Sequence, residues 1–233
     1  MNDPFLQWRE EFPILHRTTY LISNSLGAMP RAVYDSLHAY AEAWATRGVR
    51  AWSEGWWEMP VTVGNLVARL IGAEAGTVTM HPNVTTAQAV ALSCLDFAPP
   101  RNKVVTTDMN FPSILYLYRR MLPPEARLEI VPTGDGITIE LEELLAAIDE
   151  TTRLVSISHV LFKSGFRHDA PAIVERAHAV GAHVVLDAFQ SVGVMPVDVR
   201  ALGVDVLVGG VLKWLCGGPG GAFLYVRPDL ARR

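Results

Sequence analysis

From residue 76 onward the chain is written in short apolar runs separated by longer amphipathic stretches. The runs 77–80, 104–107, 128–131, 154–158, 184–187, 204–208 and 223–226 are four or five residues long and rich in valine, leucine and isoleucine. Short runs that are apolar throughout, rather than alternating, predict strands buried on both faces of a parallel sheet. Between them, apolar residues recur at helical spacing over 85–95, 113–121, 141–148 and 171–180. This alternation predicts an α/β fold: a three-layer sandwich with a seven-stranded, mainly parallel sheet covered by helices on both faces.

Residues 1–75 follow a different pattern. A short helical stretch at Phe5–Glu11 is broken by Pro13, and Pro30 suits the first turn of a helix running to about Thr46. That helix carries Val33, Leu37, Tyr40, Ala41 and Trp44 at helical spacing, and another spans about 57–71. Trp44, Trp52, Trp56 and Trp57 crowd the same region, which fits either local core packing or a dimer interface. The expected division is an N-terminal arm with helices, residues 1–75, and a sheet domain, residues 76–233.

Composition narrows the setting. Of the 233 residues, 50% are hydrophobic and 19% charged, as in an ordinary packed domain with a sizeable core. A net charge of −4 with no basic block argues against a nucleic-acid partner. The apolar stretch 203–226 contains Asp205, Lys213, Pro219 and seven glycines, which argues against a membrane span. Cys94 and Cys216 imply neither a disulfide framework nor a metal site, and the N-terminus lacks the pattern of a secretory signal; both fit a cytoplasmic location. No phosphate-loop, dinucleotide, zinc-protease or serine-hydrolase motif is present.

The candidate chemistry lies at strand ends. Lys213 sits between two apolar runs, followed by the turn Gly217-Gly-Pro-Gly-Gly221. An ammonium there is costly unless paired or used, and a lysine of depressed pKa can form a Schiff base with a carbonyl. Upstream, the strand 184–187 ends in Asp187, and Gln190 follows in the next turn. Ligands of open α/β sheets bind at such C-terminal edges. A lysine and a carboxylate converging there suit pyridoxal 5'-phosphate: the first for its aldehyde, the second to keep its ring nitrogen protonated. In Met80-His-Pro-Asn-Val84-Thr85-Thr86, a strand gives way to a helix whose N–H groups and hydroxyls offer a phosphate site.

Asp187-x-x-Gln190, then Lys213 and the Gly-Pro-Gly turn, resemble the class V aminotransferase group of fold-type I pyridoxal phosphate enzymes. Within that group, Tyr20-Leu-Ile-Ser-Asn24-Ser25-Leu-Gly27 and Phe111-Pro112-Ser113 look like kynureninase and its relatives. The resemblance implies that Lys213 holds the cofactor and serves as base at the substrate's Cα. Asp187 then faces the ring nitrogen, Gln190 bonds near the ring oxygen, and Phe111 stacks on the ring. Val84, Thr85, Thr86 and Ser113 belong to the phosphate side, Ser158 lies in a cofactor-side loop, and Asn24 and Ser25 reach the substrate. His159, beside Ser158, is expected to be buried and hydrogen-bonded rather than catalytic.

The implied activity is a kynureninase-like hydrolase on an amino-acid substrate, with transamination, epimerisation or β-elimination as alternatives, in a homodimer. A non-catalytic remnant of the fold is a further alternative. Two positions depart from kynureninases: Leu212 stands where they carry tyrosine, and Gln190 where they carry histidine. Enzymes of this group continue into a smaller C-terminal domain that supplies an arginine for the substrate carboxylate, so the resemblance implies that this chain lacks that domain.

Overall fold

The computed structural model describes residues 3–231. Seven strands form one sheet: β1 (Val78–His81), β2 (Lys103–Thr107), β3 (Arg127–Val131), β4 (Thr152–Ser158), β5 (His183–Asp187), β6 (Val206–Gly210) and β7 (Ala222–Val226). Their order across the sheet is β1-β7-β6-β5-β4-β2-β3. The pairs from β3 to β6 are parallel, whereas β7 is antiparallel to both β6 and β1. The expectation that the runs flanking the glycine-rich turn pair as parallel strands therefore fails for β7. A parallel return needs a crossover, usually a helix, and the connection 211–221 contains none.

Helices α1 (Ala32–Arg47) and α2 (Met59–Leu70) precede the sheet, and α3 (Val84–Ser93), α4 (Pro112–Met121), α5 (Leu141–Ala146), α6 (Ala170–Ala179) and α7 (Val199–Leu202) connect its strands. Both sheet faces are covered. Val184 and Leu186 of β5 join a cluster with Ile173, Val174 and Ala177 of α6 and Val67 and Ala68 of α2. Val185, between them, points into the opposite cluster with Ala87 and Ala91 of α3 and Ile114 and Tyr118 of α4. This alternation explains why the strand is apolar throughout: each fully buried side chain of this size contributes about 1.5–3 kcal/mol.

The structure departs from the sequence pattern at several places. Pairing in β6 begins at Val206, not Val204, because Asp205 is turned to other partners: the Val184 N–H, His178 and Arg227. The four-residue α7 lies in a stretch with no predicted element; Asp198 caps its first N–H groups and Gly203 ends it at φ 68°. The predicted helix at Phe5–Glu11 is a 3-10 turn, Leu6–Glu11, followed by another at Pro13–His16. Among the described residues no helix is long and apolar enough to cross a membrane.

Candidate active site

The strand register brings the chemistry to one edge. Asp187, the last residue of β5, lies beside Ser158 of β4 and Val208 of β6. Just beyond this edge opens a cavity of 560 Å³. Its lining includes Asn24, Ser25, Val84, Thr85, Phe111, Ser113, Ser158, Asp187, Gln190 and Lys213. Residues up to 189 positions apart in the chain thus meet in one place, at the sheet edge where open α/β folds bind ligands.

Thr86 is the exception among the predicted residues. Its backbone N–H and its hydroxyl both turn to Asn83 Oδ1, at 2.8 and 3.1 Å, and it does not line the cavity. Asn83 is the N-cap of α3, a place open to asparagine as much as to threonine, and capping consumes the Thr86 N–H. Thr85 points inward instead, its Oγ1 2.8 Å from Ser113 Oγ at the start of α4. The N-terminal turns of two ten-residue helices therefore converge on a pair of hydroxyls, a setting that favours an anion.

Burial tunes the two charged residues. Asp187 is 6% exposed, and burial pushes its carboxyl up to about 6, against the Phe189 N–H bond to Oδ1 (2.9 Å) and the Lys213 ammonium, which pull it down. Burial lowers the Lys213 amine, with Asp187 opposing. The Lys213 Nζ stands 4.8 Å from the centroid of the Phe189 ring and 5.9 Å from that of Phe111. Phe189 was not singled out by sequence reasoning, although it lies within the Asp187–Gln190 motif. Its ring packs where a side chain of Gly210 would be: a Cβ at Gly210 would overlap the ring's far edge. Phe162, also outside the predicted set, meets Phe111 edge to face at 5.1 Å.

His159 is buried and hydrogen-bonded, as expected: its Nδ1 lies 3.0 Å from Ser191 Oγ, and burial brings its ring down to about 4. Its backbone N–H donates to the Asp187 carbonyl at 2.8 Å, fixing the strand end that carries the carboxylate. Among the described residues no cluster suited to a metal ion occurs.

The "Aminotransferase class-V" family model matches residues 19–233. This chain belongs to that family. It is 35% identical over 241 residues to a kynureninase of Pseudomonas fluorescens, covering 98% of this chain and 56% of that protein. It is also 35% identical over 225 residues to the uncharacterized aminotransferase YcbU of Bacillus subtilis (strain 168), covering 97% and 59% respectively. The chain thus spans little more than half the length of these relatives. Among solved structures, a C-DES mutant with glycine covalently linked to the PLP cofactor superposes with a TM-score of 0.85 at 22% identity, over 100% of this chain and 61% of that one. The apo cysteine desulfurase of Thermococcus onnurineus NA1 gives 0.82 at 26% identity, over 98% and 58%.

Proposed function

We propose that this protein is a pyridoxal-phosphate-dependent enzyme acting on an amino acid, with Lys213 as the residue that holds the cofactor. The observation that carries the reading is the pairing, in one cavity, of a half-buried lysine of lowered pKa with a buried carboxyl at a strand end. The donor set suits the cofactor part by part. Thr85, Ser113 and the first turns of α3 and α4 suit a phosphate, and Phe111 and Phe189 offer apolar faces to a ring. Asp187 keeps Oδ2 free of protein partners among the described residues and so suits a protonated ring nitrogen. Ser158 borders the same space, and Asn24 and Ser25 stand at its substrate side.

When bound, the cofactor supplies an electron sink for charge developing at the substrate's Cα. The remaining work falls to this chain. Asp187 holds a proton at the ring nitrogen, Lys213 Nζ takes and returns the proton at Cα, and the phenylalanine rings exclude water. Kynureninase-like hydrolysis, transamination, epimerisation and β-elimination all call for that proton transfer. They diverge afterwards, and there Leu212 matters: it lines the cavity beside Lys213 and has no proton to give. Kynurenine is therefore expected to be a poorer substrate than some other amino acid. Two free cysteines suit a reducing cytoplasm, and the exposed aromatic surface of α1 suits a homodimer.

Borohydride reduction of the cofactor-loaded protein, followed by peptide mass spectrometry, should place a pyridoxyl group on Lys213. Label on another lysine, or none, would remove the assignment. A panel of amino acids scored by spectral change of the bound cofactor then identifies the substrate, and efficient conversion of kynurenine to anthranilate would show that Leu212 does not discriminate.

A further inference from the structure

Gln190 is gripped at both ends of its amide. Its Nε2 donates to the backbone carbonyl of Asn24 at 3.0 Å, and its Oε1 accepts from the indole Nε1 of Trp214 at 3.0 Å. Chemistry fixes the orientation, because an indole N–H only donates and a backbone carbonyl only accepts. With Gln190 only 8% exposed, bulk water competes little for either bond. The carbonyl end of the amide is thus engaged on the Trp214 side, and one Nε2 hydrogen on the Asn24 side. The amide nitrogen has its second hydrogen left for the cavity the residue lines, while the oxygen, turned to Trp214, keeps a single lone pair.

We propose that Trp214 is a positioning residue that makes Gln190 a donor, and not an acceptor, toward the cavity. The inference rests on the cofactor reading above and deepens it: the ring that fits is one presenting an acceptor oxygen to Gln190, as the phenolic oxygen of a pyridoxal ring does in its ionised form. Without the indole N–H, the Asn24 carbonyl alone holds the amide, and the unpartnered carbonyl oxygen is freer to swing toward the cavity, where it repels that group. Trp214 follows Lys213 directly in sequence, so one loop carries both the residue that holds the cofactor and the residue that sets Gln190's polarity. Asn24 comes from the N-terminal segment, so the grip closes only when that segment is docked.

The test compares two ligands, pyridoxal 5'-phosphate and its 3-deoxy analogue, which lacks the ring oxygen. Trp214→Phe and Gln190→Met should each weaken binding of the first about tenfold, the loss of one buried hydrogen bond, and leave the second unchanged. The double variant should be no weaker than either single one. A benzothienyl analogue of tryptophan at position 214, which replaces only the N–H at nearly equal volume, should behave as Trp214→Phe does and guards against a packing defect. Equal weakening of both ligands, or of neither, would overturn the proposal. Exchange of the Trp214 indole proton needs no cofactor: it should be slow in the unsubstituted protein and fast in Gln190→Met, and free-indole exchange in the former would also overturn it. Failure of the unsubstituted protein to bind pyridoxal phosphate would instead overturn the cofactor reading.

Discussion

At the C-terminal edge of the sheet, the rings of Phe111 and Phe189 lie 5.9 and 4.8 Å from Lys213 Nζ, and Phe162 packs against Phe111. On α1, by contrast, Tyr34, Tyr40 and Trp44 stand 61%, 50% and 63% exposed, and no residue of that helix is buried. The aromatic contacts near α1 are among themselves: Tyr40 stacks on Trp56 at 5.3 Å, and Trp52 lies 4.8 Å from Trp57. The same residue types thus serve two physical ends. In the cavity they lower the polarity around groups whose charge matters, and Phe189 is held there by its packing on Gly210 and its N–H bond to Asp187. On α1 they leave a row of exposed apolar side chains, the surface that the proposed homodimer would cover.

Removing the charge from the cavity should have the largest effect. Asp187→Ala is expected to cut turnover by about 10²–10⁴-fold while leaving the thermal midpoint of the cofactor-free protein no lower, because a buried carboxyl is a burden on the fold. Turnover equal to that of the parent would separate Asp187 from the chemistry. Charging the other region should act on association alone. Leu37→Glu combined with Trp44→Glu is expected to weaken self-association by tenfold or more, on the order of 2 kcal/mol, with an unchanged circular dichroism spectrum. Sedimentation showing a monomer before substitution would break the comparison at its second half.

The smallest effect is a pH slope. His159, brought down to about 4, leaves the folded state with fewer bound protons than the unfolded chain between its ordinary 6.5 and about 4. It therefore takes stability away as pH falls through that window. Asp187, pushed up to about 6, binds its proton earlier in the folded state, so it adds stability as pH falls from about 6 toward 3.8. The two slopes oppose each other. Asp187→Asn in the cofactor-free protein should remove the opposing slope and leave that of His159 together with His81 and His168, whose rings burial also lowers: a loss on acidification between about 6 and 4 of at most about 1.4 kcal/mol per pH unit for each group. Denaturant titrations at several pH values measure it, and a slope no steeper than the parent's would contradict the opposition.

Much of this arrangement is legible in the sequence because buried strands and helix periods are local signals. The runs ending at Asp187 and Ser158, the lysine between apolar segments and the helix start after Asn83 all come from residues near one another in the chain. What escapes is set by distant partners. The β6 boundary moved because Asp205 answers to His178, Val184 and Arg227. Thr86 looked equivalent to Thr85 until the Asn83 side chain took its N–H. Phe189 became legible only with Gly210 beside it, and Trp214 only with Gln190, 24 residues upstream. For α7 a local signal did exist, the bracket of Asp198 and Gly203, but four residues are too few for a hydrophobic period to show.

The Gly27 N–H donates to the Leu212 carbonyl at 2.9 Å, and a Cβ at Gly27 would overlap the Lys213 carbonyl oxygen. With the Asn24–Gln190 bond, which joins residues 166 apart, this stitches the beginning of the chain to the loop that carries the lysine. On a ribosome the opening segment must wait, unpaired, until almost all the residues described here have emerged. The wall it forms is therefore among the last parts of the cavity to be built, since closing so long a loop precedes any reward from its contacts. Occupancy of the finished cavity then requires synthesis through the loop that carries the lysine, and a chain interrupted before it is left with an opening segment whose Gly27 has no Leu212 to pair with.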